Sequence, residues 1–290
     1  MLTLSNGHSF TFCCASGALG FDGMGYWWEA PFRWIGLLCP GELTIIAKTV
    51  TLEPRKGNLK MWCPWRCVRL VRGGGAVNAV GLTNPGIRAW VRDYYPRAIR
   101  KGLNLIASIH PTTEDEARAM VTYLAPLSGL KGIEVNLSCP NSESAYHPVE
   151  VTKAVKGGSN HPVIAKLGYD TLSLIHGLEP YVEAFDLINT VPWDRVYKES
   201  PSPLAKYGLV GGVSGAPIRD LAERALILAR TMTNKPIISG GGINSLSDVE
   251  TRQFFGAKAF SFGTVFLRAP WRPNRIIEAW KKPRQKANPQ

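Results

Sequence analysis

Short apolar runs recur along the chain, and each breaks off in a polar or glycine-rich cluster. They occupy residues 9–14, 43–48, 103–109, a stretch opening at Gly132, then 162–167, 185–189, 236–239 and 259–262. Runs that stay aliphatic throughout predict strands buried on both faces, the pattern of a parallel sheet rather than of a one-sided antiparallel one. Helical periodicity is predicted over 87–100, 113–124, 149–155, 217–231 and 245–254. The second of these opens with Glu114, Asp115 and Glu116, the charge sign that a helix N-terminus favours. Eight strands, most of the later ones separated by helix-length segments, predict an α/β fold of the (β/α)8 TIM-barrel type. The expected organisation is one barrel domain over residues 1–280, followed by a basic flexible tail over 281–290.

In such folds ligands sit at the carboxyl ends of the strands, so the residues that end each run carry the candidate chemistry. The fourth run ends in Asn136-Leu137-Ser138-Cys139-Pro140-Asn141. Two amides that both donate and accept suit a flat ligand with alternating N–H and C=O groups, and a thiol between them can take or give a proton. An inert buried cysteine in a capped loop fits the same letters. The second run ends in Lys48, which either meets an anion or electron-rich ring at the rim or snorkels to solvent. The last two runs lead into Gly240-Gly241-Gly242 and Gly263-Thr264. Backbone amides there can cradle a phosphate, and barrels commonly hold phosphates after strands seven and eight. Residues 62–72 interleave aromatics with arginine. That composition can stack nucleic-acid bases, but a flap covering the barrel is the expectation here.

Composition narrows the classes. The 290 residues are 45% hydrophobic, with 29 Gly and 21 Pro, which fits a loop-rich globular enzyme. No apolar run approaches the ~20 residues of a membrane span, and no charged leader precedes an apolar core; a soluble, cytoplasmic protein is expected. The six cysteines, Cys13, Cys14, Cys39, Cys63, Cys67 and Cys139, show no paired C-x-x-C spacing, so reduced thiols and no metal are expected. A net charge of +12 attracts either small anions or an acidic or nucleic-acid partner and identifies neither.

Taken together, Lys48-Thr49-Val50-Thr51, Pro54-Arg55-Lys56-Gly57-Asn58, the stretch from Asn78 to Gly86, Asn136 to Asn141, Asn189-Thr190, Gly211 to Gly215 and Gly263-Thr264 resemble the dihydroorotate dehydrogenases, in the family's order, over residues 15–267. The resemblance implies a barrel that binds FMN and oxidises dihydroorotate to orotate in pyrimidine biosynthesis. A cysteine at 139 and the absence of a membrane segment resemble the family's soluble class. The resemblance further implies that Cys139 is the base, with Lys48 beside flavin and substrate. Substrate would be held by Asn78, Gly81, Leu82, Asn136, Asn141, Asn189 and Thr190. FMN would be held by Ser16, Lys48, Thr49, Ser108, Asn136, Lys166, Ile188, Gly215, Gly241, Gly242, Gly263 and Thr264, with Lys166 facing the pyrimidine side of the ring.

Ser108 resembles the fumarate-using subclass, whereas the runs at 78–82 and 54–58 resemble the NAD-linked one, in which a separate subunit carries FAD and an iron–sulfur centre. Family members are commonly homodimers. The chain departs from the family at Leu59-Lys60-Met61, in residues 62–72, and in a short loop after Asn141. Two other functions stay open on these residues: a related flavoprotein acting on another dihydropyrimidine-like ring, and an inactive basic barrel that binds nucleic acid or a protein. Retention of Cys139, Lys166 and the glycine turns argues against the last, and makes nucleic acid an unexpected partner.

Overall fold

The computed structural model describes residues 1–138 and 147–282. Eight parallel strands close into a barrel: Phe12–Cys14 (β1), Thr44–Ile46 (β2), Asn104–Ile109 (β3), Leu130–Asn136 (β4), Val163–Leu167 (β5), Ala184–Leu187 (β6), Ile237–Ser239 (β7) and Ala259–Phe262 (β8). Each pairs with its neighbours in chain order, and β8 returns to β1 through Phe260↔Phe12 and Phe262↔Cys14. The eight predicted strands are therefore these eight, most of them trimmed at one or both ends.

The first prediction needs a correction. Residues 9–14 do not form one strand: Ser9–Phe10 pairs antiparallel with Leu2–Thr3, and only Phe12–Cys14 joins the barrel. Phe10 and Phe12 would share a face in a continuous strand, yet they serve different cores. Phe10 joins Leu2 and Leu4 to close the barrel floor against Cys13, Ile46, Ile106, Ile164, Ala184, Ile238 and Ala259. Phe12 faces outward, where Trp280 of the helix Arg272–Lys281 lies edge-on to Phe12 and Phe260, with ring centroids 5.9 and 5.7 Å away.

The predicted 87–100 helix contains a π-helical stretch, Trp90–Tyr94, between Ile87–Ala89 and Tyr95–Arg100. Pro96 lacks the N–H that would bond back one turn, so the regular ladder cannot run through it. Trp90, fully buried, donates its indole N–H to Phe21 O at 2.8 Å.

A second sheet was not legible as strands. Val68–Val71, Gly75–Asn78, Gly212–Gly215 and Val191–Pro192 form an antiparallel four-stranded sheet. It joins the β2–β3 connection to the β6–β7 connection through Asn78↔Gly212 and Gly75↔Gly215. Gly75 permits this approach, because a Cβ there would lie 2.7 Å from Pro217 Cδ and 2.9 Å from Ser214 O. Such glycine-rich strands carry no hydrophobic period and read as turns. In the segment expected as a flap, 62–72, Trp62 and Trp65 are 72% and 54% exposed, and the chain beyond them becomes the outer strand of this sheet. Among the described residues no helix is long and apolar enough to cross a membrane.

Candidate active site

Above its apolar floor the barrel interior turns polar. Strand register places Asn136 (β4) beside Lys166 (β5), and Lys166 beside Asp186 (β6), while Ser108 (β3) is beside Glu134 (β4). Lys166, 5% exposed, has its ammonium 3.4 Å from Asp186 Oδ2. Glu134 is fully buried and accepts from Ser108 Oγ at 2.7 Å. Burial alone would push Lys166 down, but Glu134 and Asp186 outweigh it and hold the ammonium charged. Burial, with the repulsion of Asp186 added to it, pushes the Glu134 carboxyl up against the pull of Lys166. Sequence reasoning missed both carboxylates. The signal was there, an acid inside an otherwise aliphatic strand run two residues before Asn136 and another three before Asn189.

A chain of hydroxyls links this layer to the mouth. Ser16 Oγ lies 2.8 Å from Thr49 Oγ1, and Thr49 Oγ1 lies 2.8 Å from Ser108 Oγ. Asn136 Nδ2 donates to Thr49 Oγ1 at 3.2 Å, and Asn136 Oδ1 accepts from Ser138 Oγ at 2.8 Å. Ser138 Oγ in turn accepts from Asn189 Nδ2 at 2.7 Å, and Asn189 Oδ1 accepts from the Thr190 amide at 2.8 Å. Six of the residues expected at the site thus form one hydrogen-bonded group joined through Ser138. Cys139 and Asn141 lie outside the described residues.

Lys48 sits just past β2 at 8% exposure, so it is a buried rim residue and not a snorkelling one. Its ammonium donates to Thr83 O at 2.7 Å and stands 5.3 Å from the Phe21 ring centroid. Burial pulls its pKa down to about 8, since a carbonyl and a ring do not replace its hydration. Gly81 and Leu82, both with positive φ, precede Thr83, and Asn78 ends the strand that meets Gly212.

On the far side of the mouth, Gly215, Gly241 and Gly242 have φ of +83°, +79° and +92°. A Cβ on Gly242 would lie 2.9 Å from Arg219 Cβ. Fully buried Arg252 braces the turn from behind: it donates to Gly240 O at 3.3 Å and Gly241 O at 2.9 Å, and pairs with Glu223 at 3.4 Å. With the carbonyls held there, the amides of Gly241, Gly242, Gly263 and Thr264 donate to no acceptor among the described residues. Thr264 Oγ1 donates to Ser214 Oγ at 2.7 Å, and Ile188 follows β6 at the same end.

Residues 13–282 match the family described as Dihydroorotate dehydrogenase. The chain belongs to the dihydroorotate dehydrogenase family. Among curated members of this family, it is 34% identical over 268 residues to the Dihydroorotate dehydrogenase B (NAD(+)), catalytic subunit, of Desulforudis audaxviator, covering 88% of this chain and 82% of that one. The protein of the same name from Caldicellulosiruptor saccharolyticus is 33% identical, covering 87% and 82%. The barrel is similar to that in the crystal structure of DHODH in complex with ferulenol from Eimeria tenella, with a TM-score of 0.69, 18% identity, and 92% and 79% of the two chains covered. The family resemblance read from the sequence motifs agrees with these matches. Both of these relatives carry the NAD(+) name, that of the subclass which the runs at 78–82 and 54–58 resemble.

Proposed function

We propose that this chain is an FMN-binding catalytic subunit that oxidises dihydroorotate to orotate and passes the electrons to a separate subunit. The observation that carries the reading is convergence at one barrel mouth: a cation rim (Lys48), an amide and hydroxyl cage (Asn136, Asn189, Thr49, Ser108), a buried ammonium (Lys166) and a glycine cradle whose amides have no acceptor among the described residues.

The residues present fit FMN. A phosphate suits the amides of Gly241, Gly242, Gly263 and Thr264, where a side chain on Gly242 would collide with Arg219. Ser16, Thr49, Ser108, Asn136, Ile188 and Gly215 would complete the holding set. FMN, when bound, supplies the acceptor for the hydride from C6 of dihydroorotate. Lys166, kept charged by its acidic surroundings with the Asp186 carboxylate 3.4 Å away, would stabilise negative charge on the cofactor's pyrimidine side. Asn78, Asn136, Asn141, Asn189 and Thr190 would orient the planar ring and its carboxylate, with backbone groups of Gly81 and Leu82. Cys139 would take the C5 proton; a free thiol of pKa ~8.5 is mostly protonated at neutral pH, so a neighbouring cation must favour the thiolate. The names of the B-type relatives, catalytic subunits linked to NAD(+), support a separate electron-transfer subunit as the acceptor.

An anaerobic visible spectrum of the purified protein tests the reading. Flavin absorbance that bleaches on adding dihydroorotate is expected. Flavin that persists with dihydroorotate but bleaches with another dihydropyrimidine would transfer the activity to that ring. A protein that takes up no FMN would reject the cofactor.

A further inference from the structure

The connection between β2 and β3 presents a surface that the proposed reaction does not use. From Arg55 to Arg72 the chain carries six basic residues and no acidic one, and none of the six belongs to an ion pair among the described residues. Within it, Val68–Val71 is the outer strand of the mouth sheet. One edge pairs with Gly75–Asn78, and the other has no partner among the described residues. Leu70 on this strand is 56% exposed, and Trp62 and Trp65 in the preceding segment are exposed as well.

Next to the strand, three cations ring one tyrosine. Arg66, Arg69 and Lys206 lie 5.3, 5.6 and 5.2 Å from the Tyr207 ring centroid, and Arg69 donates to Tyr207 Oη at 3.1 Å. None of the three is in an ion pair among the described residues; like charges gathered this way repel one another, and an anionic counter-surface relieves that repulsion. The patch is continuous with the candidate active site. Val68 pairs with Asn78, the Ala79 amide donates to Cys67 O at 2.7 Å, and the Cys67 thiol is close enough to Lys48 for the two to influence each other's titration.

We infer that the free edge of Val68–Val71 and the cations around Tyr207 form the docking surface for a protein partner with an acidic face, the electron-transfer subunit. This rests on the reading that the chain hands its electrons to such a subunit. An open strand edge offers main-chain N–H and C=O groups that another polypeptide strand can pair with, and a nucleic acid cannot. Exposed tryptophan, arginine and leucine are the anchors of a protein interface. A second copy of this chain is disfavoured, because a two-fold axis would set the same cations against each other.

The test uses the full chain loaded with FMN and the FAD and iron–sulfur subunit from the same genome. Binding is measured at low and high salt for the native protein, for the double variant Arg66→Glu/Lys206→Glu, and for Trp62→Ala, whose exposed side chain is dispensable for folding. The expected result is binding at least about tenfold weaker in both variants at low salt, with the charge effect shrinking as salt rises. NAD reduction by the complex should fall in step, while dihydroorotate turnover with a dye acceptor stays at the native level. Native binding of the subunit by both variants would overturn the inference and leave the reaction intact. So would single-stranded RNA binding that the double variant loses while subunit binding persists. A native protein whose flavin bleaches but which binds no subunit would reject the acceptor reading and the docking surface with it.

Discussion

Lys48 and Lys166 show one residue type set to two electrostatic conditions by its neighbours. Lys48 is buried against a carbonyl and an aromatic ring, so its pKa falls to about 8; Lys166, deeper still, is held charged by its acidic surroundings, with the Asp186 carboxylate 3.4 Å away. If the Lys48 cation helps to hold the orotate carboxylate, activity declines as pH rises through about 8, where that cation is lost. In Lys48→Arg, which keeps its charge, the alkaline limb of the kcat/KM profile should move upward, and a limb that stays in place belongs to another group. Cys139→Ala should retain FMN and lose roughly 10²–10⁴-fold in dihydroorotate oxidation, the usual contribution of a positioned base. Stopped-flow bleaching reads this directly, and a native rate would remove the assigned base.

At the scale of elements, the glycine turn after β7 and the N-terminal hairpin do different work. Gly242 combines a φ of +92° with a Cβ direction that points into Arg219, so Gly242→Val should displace the turn. We expect it to empty the protein of FMN, read as the flavin-to-protein ratio after gel filtration, while far-UV circular dichroism stays native. Flavin retained at the native ratio would locate the phosphate elsewhere. Phe10, 6% exposed, seals the barrel floor, and Phe10→Ala should cost about 3–5 kcal/mol of unfolding free energy without altering FMN affinity. Urea denaturation measures it, and a cost under about 1 kcal/mol would mean that the floor collapses to fill the gap. The strands were legible because aliphatic runs declare themselves locally, and their ends pointed to Lys48, Asn136, Asn189, Gly241 and Thr264. The split between Phe10 and Phe12 was not legible, since both are apolar and only their destinations differ.

Across the whole molecule, the barrel interior couples stability to pH. Glu134 is neutral in the fold up to about 8, against an ordinary value of 4.5. Between those two values the unfolded chain releases this proton and the folded chain keeps it, so stability falls as pH rises through the window. Glu134→Gln removes the titration, and its melting temperature should gain on that of the native protein from about pH 4.5 to about 8. Parallel Tm–pH curves for the two would show that Glu134 ionises normally. The same scale holds the mouth sheet, which ties residues 68–78 to 191–215 and so sets the rim on which Asn78 and Lys48 sit.

By itself the sequence determined the strand count, the order of the glycine turns and the residues at the strand ends, because strand periodicity and chain breaks are properties of a few consecutive side chains. Only the tertiary structure decided which acids join Lys166 in the barrel, that Gly75–Asn78 and Gly212–Gly215 are strands, and that Arg252 braces a turn from a later helix. Those outcomes depend on contacts between segments far apart in the chain. Inward or outward facing, close backbone approach and shared burial exist only once the barrel has closed.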